Sequence, residues 1–540
     1  MKKTKSLILV SSLIFGFCFF AQDSLAASHY IRAGAAGANN GTSWADAWTS
    51  FSSVSWVRGD TYYVAGGIYN EDVSITTAES GTNWITVKKA NATDNSGDSG
   101  WNSSFAASQA VVNGRLSISY GYIEIDGVTG SNASGHGIKI HTSRDYTGFN
   151  AVIAFSSTSA SPRHLHHLDV EGPGYDYGSS GGDGIYWNSG VALSRGMHVS
   201  DCWIHEISRN GMTLGTIEGT SYSDYGLLLE NNVLEKNGGV GMRYPNVHGQ
   251  TIQFYSRPLV YAVFRNNIFR NATGQAYISI LGGVTTDHIR IYNNVFYSDN
   301  GDCTVYGLAD GGSATEITQL YKLFTSYEDM VGRTLTNVTK GASGTITSVG
   351  ATTITMAGGM SGGAVNEAGD EFSFPIPCRS AYFLATSIYS SAGNSITNAE
   401  IYNNTFYNIG KAAINFVTPS DSTGTLAKNN LWVNSYFTDT RPFWPPMTNT
   451  GYYNCVYGPY DPENTETADP FINSAAYDFH LKSAANAVDS GADLNNIFTT
   501  DRDGVLRPQG SAWDIGAYEY ESGYTPDTTP PAAPGGLTVR

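Results

Sequence analysis

Leu229-Glu-Asn-Asn-Val-Leu234 is followed by Phe264-Arg-Asn-Asn-Ile-Phe269, Ile291-Tyr-Asn-Asn-Val-Phe296, Ile401-Tyr-Asn-Asn-Thr-Phe406 and Ala427-Lys-Asn-Asn-Leu-Trp432. Val199-Ser-Asp-Cys-Trp-Ile204 is an earlier, altered copy. The second Asn of each pair falls at 232, 267, 294, 404 and 430, in steps of 35, 27, 110 and 26 residues. Each copy reads as a short strand, a polar turn and another short strand. One such unit cannot bury its apolar face alone, whereas stacked units can, with strands roughly 4.8 Å apart in parallel sheets. Asn tolerates the left-handed backbone of the turn, and stacked Asn side chains can bond to the next coil. The pairs therefore read as scaffold. A step near 27 is one coil, and the step of 110 holds further coil and an insertion. The fold class expected is all-β, a right-handed parallel β-helix (a solenoid) with a small inserted β unit.

These coils resemble the repeats of the pectate-lyase-like superfamily. The ends add to the likeness. His29-Tyr30-Ile31-Arg32, Asn39-Asn40-Gly41-Thr42-Ser43-Trp44 and Gly59-Asp60-Thr61-Tyr62-Tyr63-Val64 look like an N-terminal cap and first coil. Asp469-Pro470-Phe471, Asp501-Arg502-Asp503-Gly504, Arg507-Pro508 and Asp514-Ile515-Gly516-Ala517-Tyr518-Glu519 resemble the closing segment of bacterial choice-of-anchor β-helix proteins. The resemblance covers residues 28–520 outside the insertion. It implies a fold that carries lyases, hydrolases, adhesins and structural proteins, and so does not choose among them.

Residues 1–26 read as a signal peptide. Lys2, Lys3 and Lys5 precede an apolar run from Leu7 to Phe20, and Ser24-Leu25-Ala26 suits cleavage after Ala26. The run is shorter than the ~20 residues that span a bilayer. A secreted or cell-surface location is expected, with no membrane insertion after cleavage. Residues 27–520 form the β-helix with its caps. Within them, 315–375 break the period with alternating segments such as Gly344-Thr345-Ile346-Thr347, expected as the inserted β unit. Residues 521–540 read as a Pro-rich linker and the start of a fibronectin type III domain. The net charge is −17 with only 14% of residues charged, which argues against a nucleic-acid partner and against membrane-surface binding. A monomer with a polysaccharide or cell-surface glycan as partner is expected. Cys202, Cys303, Cys378 and Cys455 have no zinc spacing. Cys303 and Cys378 bracket the insertion, where they read either as a bridge at its base or as small buried residues.

The strand after each Asn-Asn strand is expected to face a long groove. Gly137–Ile140, Gly184–Trp187, Gly211–Leu214, Gly241–Tyr244, Ala276–Ser279, Thr304–Tyr306 and Ala413–Phe416 align there, with Lys139, Tyr186, Thr213, Arg243, Tyr277, Tyr306 and Asn415 outward. A Tyr row with scattered cations suits a sugar chain, since aromatic faces stack on pyranose rings and cations meet uronate carboxylates. Residues 164–257 are densest in reactive groups: His164, His166, His167, Asp169, Asp183, Arg209, Arg243, His248 and Arg257. His167, Asp183, Arg209 and Arg243 are the catalytic candidates, and Lys139, Tyr186, Asn210 and Tyr277 the substrate-binding ones. A polysaccharide lyase needs a carboxylate neutraliser and a base, and both types are present. A hydrolase needs two carboxylates at set separation, and no pair stands out. Gly135-His136-Gly137 reads as a plain turn. Asp501-Arg502-Asp503-Gly504 suits either calcium or a capping turn, and no metal ligand set is assigned. Two functions remain open: a glycan-active protein, as a lyase sooner than a hydrolase, or a non-catalytic adhesive or structural protein.

Overall fold

The computed structural model describes residues 26–142, 151–156, 159–172, 182–187, 195–237, 249–272, 276–282, 285–298, 302–320, 324, 329–377, 386–390, 395–409, 414–416, 422–433, 443–444, 454–457 and 468–525. Its strands are short and obey a period of two. In Ile123–Asp126, for example, Ile123 and Ile125 are buried while Glu124 and Asp126 are half-exposed. The chain passes from that strand, in a first sheet, to Ile138–His141 in a second and Ala151–Phe155 in a third. It then returns as Arg163–His166, parallel to and in register with Ile123–Asp126. Repetition of this circuit builds three long parallel sheets around one apolar core, a parallel β-helix.

The Asn pairs hold the coils in step. The second Asn of each pair is buried, and its side chain links three levels. Asn267 Oδ1 accepts from the Asn232 main-chain N–H at 3.0 Å, while Asn267 Nδ2 donates to Leu229 O at 2.9 Å and Asn294 Oδ1 at 3.0 Å. The chain of bonds runs on from Asn294 to Asn404 and Asn430. The first Asn of each pair takes the left-handed turn, with φ of 57°, 57°, 54°, 47° and 55° at 231, 266, 293, 403 and 429. One strand further on, Phe269, Phe296, Phe406 and Trp432 stack at 4.6, 5.0 and 5.3 Å between centroids.

Between Tyr297 and the strand Thr386–Ser390 the chain leaves the helix. Asp302–Leu308 pairs antiparallel with Glu371–Pro377, and two four-stranded antiparallel sheets enclose a separate core of Val305, Ile317, Phe324, Ile354 and Phe372. The segment 468–525 folds back over the outside. Phe471, Phe479 and Ile515 pack on Val295, Tyr297, Tyr407 and Leu431 of the second sheet, and Leu494, Phe498 and Trp513 pack on Leu228, Val263, Tyr292 and Tyr402 of the first. The later coils are thus covered on two faces. Cys202 is a buried free thiol. Residues 1–25, within the segment expected as a signal peptide, residues 526–540 and Cys378 lie outside the described residues. Among the described residues, no helix is long and apolar enough to cross a membrane.

Candidate functional site

The expected groove row divides between sheets. Lys139 stands on the second sheet and Tyr186 on the third. Tyr306 belongs to the inserted antiparallel strand Asp302–Leu308. The register of the third sheet aligns Tyr186, Thr213, Gln253 and Ser279, of which the first three are half-exposed and Ser279 is buried. Tyr277 corrects its assignment: it is fully buried, packs on Phe269 and Phe296, and donates its hydroxyl to Tyr297 O at 2.7 Å. Asn210 is also buried, its amide donating to Thr213 Oγ1 and Gln253 Oε1 at 2.9 and 2.8 Å.

Of the catalytic quartet, the described residues bring Asp183 to Arg209 and place His167 on Asp126. Asp183 is 1% exposed, and its two oxygens are held by Nε and Nη2 of Arg209 and by the Asn210 N–H. A carboxylate so enclosed reaches no polymer, so Asp183 and Arg209 are corrected to a scaffold pair joining neighbouring coils at the entry to the third sheet. His167 lies at the corner between the first and second sheets, with φ of 53° and Nδ1 2.8 Å from Asp126 Oδ1. Arg243 lies outside the described residues. At the far end, Asp501 accepts from the N–H groups of Asp503, Val505 and Glu519 and closes a turn.

On the second sheet, adjacent strands carry Lys139 beside Asp169, and His141 beside Glu171 beside His205. His205 Nε2 meets Asp169 Oδ1 at 2.9 Å. Lys139 Nζ lies 3.6 Å from Asp169 and in contact with Glu171. Burial pushes the Asp169 carboxyl up, but the hydrogen bond and charge of His205 and the charge of Lys139 outweigh it and leave it below its ordinary value. The Trp203 indole stacks on His205 at 3.5 Å and 10°, and its Nε1 donates to Glu235 Oε2 at 3.1 Å. Beside this cluster opens a pocket of about 520 Å³, lined among others by Asn91, Gln109, Thr129, His136, Asp169 and Trp203. Its wall is the Gly-His-Gly turn. His136 donates from Nε2 to Asp201 O at 3.0 Å, and a Cβ on Gly137 would lie 2.0 Å from Gly127 O. Burial, foremost, drives the His136 pKa down to about 4.

Trp203 and His205 were not among the sequence candidates: Trp203 sits in the altered repeat copy, which reads as scaffold, and His205 directly follows it. The signal was there. Trp203 occupies the outward place that Val233, Ile268 and Val295 fill in the following coils.

On the first sheet, the outward rows over the same coils are Thr86, Glu124, His164 and His198, and Lys88, Asp126, His166 and Ser200. Burial raises Glu124, with Asp126 adding to it. Asp126 is raised by burial but lowered more by the hydrogen bond of His167 and the Val128 N–H. Burial and then the neighbouring histidines hold His164 and His166 at about 4. Two sets of donor atoms lie within 4.8 Å of one another among the described residues: Glu124, His164 and His166, and Asp169, Glu171 and His205. The second set already contacts the Lys139 ammonium.

No family model matches the chain, and no curated protein matches it in sequence. Among solved structures it is similar to the GH136 lacto-N-biosidase from Eubacterium ramulus. The selenomethionine derivative is 13% identical over 79% of this chain and 67% of that one, with a TM-score of 0.34. The native protein is 12% identical over 80% and 68%, at 0.32. A mannuronic acid specific polysaccharide family 6 lyase from human gut microbiota is 11% identical over 74% and 81%, at 0.23. These neighbours are glycan-acting enzymes by name, and at such scores the likeness assigns this chain no chemistry. Its parallel β-helix stands on its own strand pairing.

Proposed function

We propose that the chain is an exported β-helix protein that binds extracellular polysaccharide in the second-sheet pocket. The observation that carries this reading is the lining of that pocket: an indole, an imidazole, a carboxylate, an ammonium, two amides and three hydroxyls around about 520 Å³. Aromatic faces stack on the apolar faces of sugar rings, and amides and carboxylates bond to hydroxyls. The site lies on a rigid stack of coils, its 127–137 turn met by Arg502 of the C-terminal segment at Asn132 Oδ1 (3.2 Å), and a polymer along the helix axis would cross one coil after another.

Cleavage is a second reading, favoured by Lys139 next to the Asp169–His205 pair. The ammonium suits a uronate carboxylate, and a carboxylate-oriented imidazole suits proton transfer. The test is a panel of neutral and uronate polysaccharides, scored by affinity electrophoresis and by ultraviolet absorbance of an unsaturated product. Trp203→Ala and Asp169→Asn, with unchanged circular dichroism, are expected to weaken retention about tenfold or more, in keeping with the loss of one stacking partner. Retention equal to wild type in both variants removes the pocket as the site. A wild type that neither binds nor cleaves any glycan favours the adhesive or structural alternative.

A further inference from the structure

We propose that Glu124, His164 and His166, on the outward face of the first sheet, form a binding site for a divalent transition-metal ion of the zinc class. The proposal rests on a different face from the glycan pocket and stands independently of it.

The backbone brings the three together. His164 lies directly opposite Glu124 in the parallel pairing, and His166 is two residues on, hence on the same face. Their donor atoms all fall within 4.8 Å of one another. Tetrahedral zinc with bonds of about 2.0–2.2 Å sets its ligands roughly 3.5 Å apart, so small side-chain rotations close the site.

Each ligand is oriented by a second contact that leaves its donor free. His166 Nδ1 is tied to Ser200 Oγ at 2.8 Å, which turns Nε2 toward Glu124 Oε1, 3.9 Å away. Thr86 Oγ1 donates to the other Glu124 oxygen, Oε2, at 3.2 Å. The His164 ring packs against Trp84 at 4.5 Å. Such outer partners are how proteins fix the tautomer and direction of metal ligands. The charged neighbours are engaged elsewhere: Lys88 with Asp94 at 2.5 Å, His167 with Asp126, and His198 with Glu230 at 2.7 Å. Two imidazoles and one carboxylate select zinc or a late first-row metal over calcium or magnesium, and three protein ligands leave a position open for water or a substrate oxygen.

The test uses the full chain stripped with a chelator and titrated with zinc chloride by calorimetry, then with cobalt(II) to read ligand-field absorption. Saturable zinc binding at one equivalent, cobalt bands of a tetrahedral nitrogen–oxygen site, and no competition from calcium are expected. His166→Gln and Glu124→Gln should each weaken zinc more than about a hundredfold, and Ser200→Ala roughly tenfold, since outer-shell losses fall in that range. His198→Gln, whose imidazole is tied to Glu230, should retain wild-type affinity. Circular dichroism of the metal-free variants separates ligand loss from misfolding, and Glu124→Gln, which keeps the side chain's shape, decides the matter if a histidine variant fails to fold. No stoichiometric binding, or binding that neither Glu124→Gln nor His166→Gln weakens, overturns the site.

Discussion

The outward faces of the first and second sheets carry similar side chains, and they balance charge differently around Glu124 and Asp169. On the second sheet, Asp169 and Glu171 share the Lys139 ammonium, and Glu235 is paired with Arg270 and Lys236. The protein supplies its own cations there. On the first sheet, Glu124 faces two imidazoles held at about 4, which are neutral at pH 7. Burial raises this carboxyl, where Lys139 and His205 lower Asp169. One scaffold thus offers a carboxylate met by its own cation at Asp169 and one beside neutral imidazoles at Glu124.

Graded substitutions sharpen this contrast. The enclosed limit is Asp183, whose removal leaves the Arg209 guanidinium buried without its carboxylate. Asp183→Ala is expected to cost about 3–5 kcal/mol in equilibrium urea unfolding, the range for breaking a buried pair. Lys139 is 22% exposed, and its carboxylates keep other contacts. Lys139→Met should therefore cost less, about 2 kcal/mol. Glu124→Gln, measured without metal, should shift stability by under about 0.5 kcal/mol, because it removes a charge that burial already disfavours. A Glu124→Gln loss as large as that of Lys139→Met would erase the distinction between the faces.

A pH scan reads burial through proton uptake. His136 is depressed to about 4 by burial, against an ordinary value of 6.5. Between those values the unfolded chain binds the proton and the folded one does not, so this contribution to stability is complete above pH 6.5 and fades as pH falls toward 4. Thermal melts of metal-free protein should show the acid loss across that window, and His136→Gln should shallow it. An unchanged slope would place the acid sensitivity in other groups.

Much of the fold was legible because the Asn pair has two separable physical jobs. Asn266 supplies a left-handed turn and Asn267 a buried amide that bridges levels, and few residues do either. The sheet holding Lys139 was not legible. The second and third sheets both bury alternate residues, and the long corner before Ile138 imitates the loops that precede the third sheet elsewhere. Tyr277 failed through alternation: it is the second residue of the strand Ala276–Leu281, and although Ile278 pairs with the core residue Ile252, its own ring is also buried, against Phe269 and Phe296. The histidines of Arg163–His166 were visible as a cluster, but their partner Glu124 comes from 40 residues earlier, a separation set by a coil longer than the 27-residue repeat.

The inserted sheets leave and rejoin the helix through Asp302 and Pro377, which are paired partners. Opposed residues in such a pair lie about 5 Å apart. The amide chain meanwhile passes from Asn294 to Asn404 at 3.0 Å, the same spacing it keeps between Asn404 and Asn430. The stack is therefore blind to what is threaded through that opening. It behaves as a socket: any module whose two ends meet at strand spacing can be plugged in, trimmed or exchanged without renumbering the coils, because closing a longer loop costs only a logarithm of its length. Length added at this point leaves the amide ladder on either side in step.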